Sequence, residues 1–421
     1  MTTDLDFDTL LKRYAEVIVR VGVSLREGQR LIIFNSTARG VPPAGRDLVH
    51  AVTKTAYAAG ARFVEVIWGD EEMLRLQLTE GSEASLREYA TWKTDAIYDF
   101  LSNGDALLSI YANDPDPYVG IDPARISILQ KVHLEKYAKI SELVSRNAAN
   151  WCVVAAASPA WAKKIFPDLS EAEGQQKLWQ AIFDVTRITQ PDPLEAWQEH
   201  IRSLRTRAQY LQDKKYTALH YTAPGTDLTL GLPYGHKWIS AQALAENGVM
   251  FTANVPTEEA FTIADRNRAD GVVKSTFPLS YGGSLIEDFS VTFENGRVVK
   301  VEARKNEAIL QKLVEMDEGA SRLGEIALVP ASSPIATRGH LFYNTLFDEN
   351  ASCHIAIGRA YRFTLIGGEE LTEEEFRQAG GNTSITHIDF MIGSPQMDID
   401  GITADGTHEP VMRQGEWAFL A

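Results

Sequence analysis

Cysteine is scarce in this chain: two residues in 421, at positions 152 and 353. They lie far apart, each beside apolar residues, which excludes a disulfide framework and predicts two buried thiols in a reducing, cytoplasmic setting. No run approaches the ~18 consecutive apolar residues that a membrane-spanning helix needs. The first residues, Met1–Asp8, are acidic and contain no apolar segment, so we expect no signal peptide there.

Positive charge is also in short supply. The chain has 41 Lys and Arg residues against 57 Asp and Glu residues, a formal net charge of −16. Because neutralising a phosphate backbone requires a basic face, this balance argues against a nucleic-acid partner and against an anionic membrane surface. The 44% hydrophobic and 23% charged content is that of an ordinary globular protein, long enough for two or three domains.

The first half contains no glycine-rich phosphate-binding loop, although its alternation of predicted strands and helices is typical of folds that often have one. Amphipathic segments predict helices over residues 8–21, 44–59, 82–101 and 123–147. Short apolar runs predict strands over residues 30–34, 62–68, 106–111 and 151–156. This alternation indicates an α/β N-terminal domain with a mostly parallel sheet. No G-x-G-x-x-G or Walker-type loop occurs, so we predict structural support rather than a nucleotide site.

The second half has a different pattern of polar and apolar residues. Period-two alternation recurs over residues 216–221, 226–230 and 289–301, and Asn295-Gly296 lies between two alternating runs as a hairpin signal. We therefore predict an α+β C-terminal domain with antiparallel pairing. A helical stretch over residues 161–207, interrupted by Pro191 and Pro193, separates the halves. We place the domains at residues 1–200 and 201–421.

The run Thr386–Gly393 contains a candidate metal-binding pair. In an extended strand His387 and Asp389 point to the same face. Imidazole and carboxylate side by side suit zinc-like and cobalt-like ions. Taken alone, the pair is equally compatible with a surface contact or with a histidine oriented by its neighbour.

Other ligand-type residues occur earlier in the same half. Glu258 and Glu259 follow Pro256, Glu325 heads an apolar strand, and His354 lies within another. Each has a structural alternative: the acids could begin a helix, and the histidine could be a satisfied core residue. As a set, two glutamates, two histidines and an aspartate match the ligands of two divalent metals ~3.5–4 Å apart. The lack of a cysteine among them argues against a structural zinc site.

These segments resemble the thermophilic aminopeptidase family, of the aminopeptidase T and aminopeptidase S type. The resemblance is carried by Asn254–Thr262, Gly324–Ala327, Asp348–Tyr361 and His387–Gly393. It implies a dinuclear metallo-aminopeptidase that forms a homodimer and has a metal-binding C-terminal domain. By motif position, the ligands of the two metal ions, zinc, cobalt or similar, would be Glu259, Glu325, His354, His387 and Asp389. Glu325 would bridge the ions.

The resemblance also assigns catalytic candidates. Tyr361 is at the position of the family's catalytic tyrosine, and Glu349 is a candidate for an additional ligand or a nearby carboxylate. Glu258 is a rival to Glu259 as a ligand. His354 and Tyr361 are seven residues apart and would face opposite ways in an unbroken strand, so a shared site requires a bulge or turn, for which Gly358 is the obvious place.

Three functions are compatible with these residues. The first is a metal-dependent aminopeptidase that hydrolyses N-terminal residues from peptides. The second is a mononuclear iron dioxygenase that cleaves the ring of a dihydroxypyridine-like substrate with two histidines and a carboxylate. The third is a non-catalytic dimeric scaffold. Five ligand candidates favour two metals and therefore the aminopeptidase.

Overall fold

The structure, a computed structural model, describes residues 5–36, 39–281 and 284–419. Residues 1–4 of the acidic N-terminal stretch therefore lie outside the described part. The chain divides into two compact units: the first runs to Glu199 and also includes Gln242–Pro256, and the second contains His200–Ala241 and the residues from Thr257 onward. The limits 1–200 and 201–421 do not anticipate the return of residues 242–256, and as domain limits they stay a prediction.

The first unit is built on parallel strands. These are β1 Arg30–Phe34, β2 Phe63–Val66, β3 Ala106–Tyr111 and β4 Trp151–Ala155. They form one sheet in the order β2-β1-β3-β4 with every pair parallel. The segment 242–256 joins the edge at β4, where Val153 N donates to Ala253 O at 2.7 Å and Val255 N to Val153 O at 3.0 Å. The predicted α/β domain with a mostly parallel sheet is confirmed.

Helices accompany these strands along the chain. Their bounds are α1 Phe7–Val17, α2 Arg46–Ala58, α3 Glu71–Thr79, α4 Glu83–Leu86, α5 Thr91–Ser102, α6 Pro123–Ser145, α7 Pro159–Ile165, α8 Glu171–Val185 and α9 Pro193–Lys214. A π-helical turn, Ile18–Gly22, extends α1, and a 3-10 turn, Pro43–Gly45, precedes α2. Helix α9 begins in the first unit and continues into the second.

Two helix predictions in this unit are wrong in part. The stretch 161–207 is interrupted at residues 166–170, between α7 and α8, as well as at the prolines. Residues 82–101 form two helices, α4 and α5, with a break around Tyr89. The Tyr89 hydroxyl lies 3.1 Å from His133 Nδ1 on α6, so a tertiary contact overrides local helix propensity there. Helix α3 was not predicted, although the sequence carries a signal for it: Asp70 accepts from Glu72 N as an N-cap, and two acids follow in the first turn.

The second unit is built on antiparallel strands. Their bounds are β5 Ala218–Ala223, β6 Thr226–Gly231, β9 Ala260–Ile263, β10 Ala269–Lys274, β11 Leu279–Tyr281, β12 Ser284–Glu294, β13 Arg297–Lys305, β14 Leu323–Leu328, β15 His354–Gly358, β16 His387–Met391, β17 Asp398–Ile402, β18 His408–Arg413 and β19 Glu416–Trp417. The short strands β7 Ala243–Leu244 and β8 Met250–Phe251 belong to the returning segment of the first unit. The helices are α10 Glu307–Val314, α11 Thr345–Asp348 and α12 Glu373–Gln378.

These strands form two sheets that share a core. The larger sheet has the order β11-β12-β10-β6-β5-β17-β18-β19 with β13 on β12, and the smaller has the order β16-β15-β14-β9. Side chains from both meet in one apolar cluster, in which the rings of Phe289 and Phe390 are 5.4 Å apart. The predicted α+β domain with antiparallel pairing is confirmed. Its hairpin turns at Asn295 and Gly296, with φ of 50° and 78°, as predicted.

Within the described ranges, no helix combines the length and the apolar character needed to cross a lipid bilayer.

Candidate metal centre

The smaller sheet places four of the predicted ligands on one face. Directly opposed residues of an antiparallel pair share a face, and residues two apart on a strand do so as well. Asp389 is opposite Ala356 and His387 opposite Gly358 on β15, the strand that also carries His354. Glu325 on β14 is opposite the same Ala356. The alternate positions, among them Ile326, Ile355 and Phe390, belong to the apolar core.

The five predicted ligands come together in two overlapping groups. Glu259, Glu325 and His354 form one and Glu325, His387 and Asp389 the other, and in each the possible ligand atoms lie within 4.8 Å of one another. His354 Nε2 is 3.2 Å from Glu259 Oε2 and 3.7 Å from Glu325 Oε1. His387 Nε2 is 3.7 Å from Glu325 Oε2 and 3.5 Å from Asp389 Oδ1. Glu325 therefore directs one oxygen to each group.

Backbone carbonyl groups orient the rings of both histidines. His354 Nδ1 is 3.2 Å from Ser352 O, and His387 Nδ1 is 2.6 Å from Arg359 O. Because a carbonyl can only accept, Nδ1 carries a proton in each ring, and Nε2 is the nitrogen that faces the carboxylates and that a metal ion would bind. This is the usual way in which a second partner orients a metal-binding imidazole.

The arrangement leaves negative charge without enough donors. His354, Glu325 and Glu259 are only 1%, 6% and 8% exposed. Glu259 Oε2 and Asp389 Oδ1 are buried without a hydrogen-bond donor among the described protein groups. Buried carboxylates with so few donors are stable only when positive charge lies beside them, on the imidazoles or on a bound cation. The donor set of imidazole nitrogens and carboxylate oxygens thus fits divalent metal ions.

The pKa values of the ligand residues reflect the same excess of negative charge. Burial would lower the pKa of His387, but Asp389 and Glu325 raise it to about 10. Burial acts likewise on His354, and Glu259 and Glu325 raise its pKa well above the usual value. The pKa of Glu325 is raised, first by burial and then by the charge of Asp389. The pocket therefore attracts positive charge strongly.

The adjacent acids Glu258 and Glu259 point to different partners. Glu259 lies in the ligand group, immediately before β9. Glu258 is buried outside both groups: its Oε2 is 3.6 Å from His200 Nε2, and its backbone N donates to Asn350 Oδ1 at 2.7 Å. The His200 ring nitrogen is also 2.7 Å from Thr257 O. Sequence reasoning missed His200, because nothing in its spacing connects helix α9 with this turn.

The adjacent acids Asp348 and Glu349 also have different surroundings. Asp348 accepts from Phe342 N at 2.7 Å and from Asn344 N at 2.9 Å, so its carboxylate is engaged in the local turn. Glu349 follows it in a 3-10 turn, Glu349–Ala351. Burial raises the pKa of Glu349 well above its usual value, and the charges of Glu259 and Asp389 raise it further. Glu349 therefore lies in the electrostatic field of the ligand carboxylates.

Tyr361 reaches the site because β15 ends before it. Gly358 closes the strand with φ of 105°, and a Cβ there would lie 2.2 Å from Thr386 O, so the chain can turn only with glycine at this position. The Tyr361 ring centroid is 4.9 Å from that of His387. This is the turn that the seven-residue spacing requires. Burial and then the charge of Glu325 raise the pKa of Tyr361, so its hydroxyl keeps its proton near neutral pH.

Comparison with known proteins identifies the family. The model of the family described as "Thermophilic metalloprotease (M29)" matches residues 7–417. The chain belongs to this family. Relatives of the chain include aminopeptidase AmpS of Bacillus subtilis, 46% identical over 98% of this chain and 99% of that protein, and aminopeptidase T of Thermus thermophilus, 41% identical over 98% and 99%. The solved structure of wild-type AmpT from Thermus thermophilus superposes with a TM-score of 0.92 at 40% identity, covering 98% of this chain and all of that one.

Membership in M29 confirms several predictions. The resemblance to the thermophilic aminopeptidases is confirmed, and so is the class of enzyme, a hydrolase of the metallo-aminopeptidase kind. A metalloprotease family also implies a divalent metal cofactor. The dioxygenase and the non-catalytic scaffold receive no support from the M29 family or from these relatives.

Proposed function

We propose that the protein removes N-terminal residues from peptides with two divalent metal ions bound in the candidate centre. Glu259, Glu325 and His354 would hold one ion, and Glu325, His387 and Asp389 the other. The observation that carries this proposal is the position of Glu325, which directs one oxygen to each group. The printed names of the relatives, which are aminopeptidases, support the reaction.

Bound divalent ions would lower the pKa of water and polarise a carbonyl group. The chain supplies the rest of the chemistry. Glu349 takes a proton from the water that attacks the scissile carbonyl carbon and passes it to the amine nitrogen as the C–N bond breaks. Tyr361, protonated and beside His387, donates a hydrogen bond to the oxyanion that forms on the former carbonyl oxygen. Asp348 is held in the local turn by backbone N–H groups.

Three finer assignments accompany this proposal. Nitrogen and oxygen donors without a thiolate are compatible with zinc or cobalt. The free, buried Cys152 and Cys353 are compatible with a reducing cytoplasm. The homodimer rests on the resemblance to the family alone.

The dioxygenase would need one redox-active iron held by two histidines and one carboxylate. Here two groups of three ligands share Glu325, which favours two ions.

Metal analysis combined with hydrolysis of aminoacyl anilides tests the proposal. We expect two equivalents of metal per chain, loss of hydrolysis after chelation, and recovery when zinc or cobalt is added back. The Glu325→Gln variant should retain neither the metal nor the activity. One iron per chain with no anilide hydrolysis would support the dioxygenase instead, and full turnover by the chelated enzyme would overturn the metal mechanism.

A further inference from the structure

A second group of ligand-type side chains lies on the larger sheet, which does not carry the candidate centre. It consists of His220 on β5, Asp400 on β17 and His408 on β18, with one possible ligand atom from each within 4.8 Å of the others. His220 and Asp400 are directly opposed across β5 and β17. His408 is opposite Ile402, two residues from Asp400 on the same face. Three neighbouring strands thus converge on one point.

This group lies on the face of the sheet away from the core. The alternate residues Leu219, Tyr221, Ile399 and Val411 are fully buried in the apolar cluster. The side chains of His220, Asp400 and His408 are 28%, 26% and 48% exposed. An ion can therefore reach them directly from solvent, and substitutions there remove no core packing.

The two imidazoles are set beside negative charge. His220 Nε2 is 2.8 Å from Asp227 Oδ1, and His408 Nδ1 is 3.8 Å from Asp400 Oδ2. The two rings are 5.8 Å apart and nearly perpendicular, at 82°, so they do not stack on each other. Among the described residues, Asp400 pairs with the Arg413 guanidinium and Asp227 contacts His220, so with neutral histidines these four side chains carry a net negative charge.

Arg413 fixes Asp400 in place. Its guanidinium pairs with Asp400 Oδ1 and also donates to Ile399 O at 3.2 Å and Met412 O at 2.8 Å. The other oxygen, Oδ2, is the one nearer His408. A carboxylate oriented by a second contact is a common feature around metal ligands.

We propose that His220, Asp400 and His408 form a separate surface site for a late first-row divalent cation such as Zn²⁺, Ni²⁺ or Cu²⁺. Imidazole suits these ions, and the carboxylate supplies neutralising charge. Three protein ligands leave at least one coordination position open to solvent. The site is independent of the proposed peptidase chemistry, because it shares no residue with the candidate centre.

Zinc alone is the probe. Crystals of the full chain equilibrated with ZnCl₂ should show an anomalous peak ~2.0–2.2 Å from the two ring nitrogens and the Asp400 carboxylate. Density at the Glu325 centre serves as an internal positive control. A map with zinc at that centre and none at His220, Asp400 and His408 would overturn the proposal.

Equilibrium dialysis against zinc gives a second, independent readout. The wild type should bind one more ion per chain than His408→Gln or Asp400→Asn. His50→Gln is the matched control, since His50 is exposed on α2 of the first unit, and it should bind as many ions as the wild type. Equal zinc content in all four proteins would contradict the site, and circular dichroism checks that each variant is folded.

Discussion

Both units bury a group of polar side chains at a sheet, but the two groups are satisfied in opposite ways. In the first unit, the buried Asn35 donates to Ile110 O at 2.8 Å and to Asn113 Oδ1 at 2.7 Å. Asn113 in turn donates to Glu71 Oε1 at 2.8 Å, and Asp114 N donates to the other oxygen of Glu71 at 3.1 Å. Amide donors meet acceptors throughout, so the hydrogen-bonding groups of this network are satisfied.

In the second unit, the buried carboxylates have too few hydrogen-bond donors. The histidine Nε2 atoms and the carboxylates of Glu259, Glu325 and Asp389 converge, and two carboxylate oxygens lack a donor. A satisfied network stabilises a fold, whereas an unsatisfied set of acceptors has the composition of a cation site. The contrast separates structural from functional polar burial without reference to any motif.

The largest expected effect comes from Glu325→Gln. We expect loss of both metal ions and a fall in kcat/KM of roughly 10³-fold or more, since metal stabilisation of charge is worth several kcal/mol. Metal content and anilide hydrolysis measure the result. Glu71→Gln is the matched control, because it alters a partly buried acid of the satisfied network. The Glu71→Gln variant should keep full metal content. Loss of metal from it would contradict the contrast between a structural network in the first unit and a metal centre in the second.

A smaller effect is expected from Glu259→Gln. This change removes one oxygen ligand from a single group, so we expect one of the two ions to be lost, measured by metal analysis of the dialysed protein. Glu258→Gln is the control at the neighbouring position, since Glu258 faces His200. If Glu258→Gln lost the ion and Glu259→Gln kept it, the assignment of the ligand would be reversed.

Tyr361→Phe should act on catalysis alone. Removal of a hydrogen-bond donor to an oxyanion typically costs about 10²–10³-fold in kcat. We expect a loss of that order with little change in KM and with both metals retained, measured by steady-state kinetics and metal analysis. An unchanged kcat would exclude Tyr361 from the reaction, and a lost metal would give it a structural role.

The smallest effect on activity is expected from Asn35→Ala. The change leaves Ile110 O and Asn113 Oδ1 without their donor, which should lower the free energy of unfolding by about 1–3 kcal/mol. Anilide hydrolysis per folded molecule should stay at the wild-type value. Urea unfolding measures the loss, with the exposed Asn103→Ala as a control. If the Asn35→Ala protein were as stable as the wild type, the hydrogen-bond network of the first unit would not be stabilising the fold.

Local patterns were enough to predict the antiparallel strands of the second half, the Asn295-Gly296 hairpin and the common face of His387 and Asp389. They depend only on neighbours in sequence, which is why they are readable there. The choice between Glu258 and Glu259 is different, since it depends on where β9 begins and on His200 of α9. The break between α4 and α5 likewise involves His133 of a distant helix. Such contacts are set by packing, and a single sequence does not show them.

Anomalous diffraction from crystals of the zinc-loaded protein tests the central claim most directly. Two zinc ions ~3.5–4 Å apart, one on either side of the Glu325 carboxylate, are the predicted result. One ion, or two ions that do not share Glu325, would contradict it.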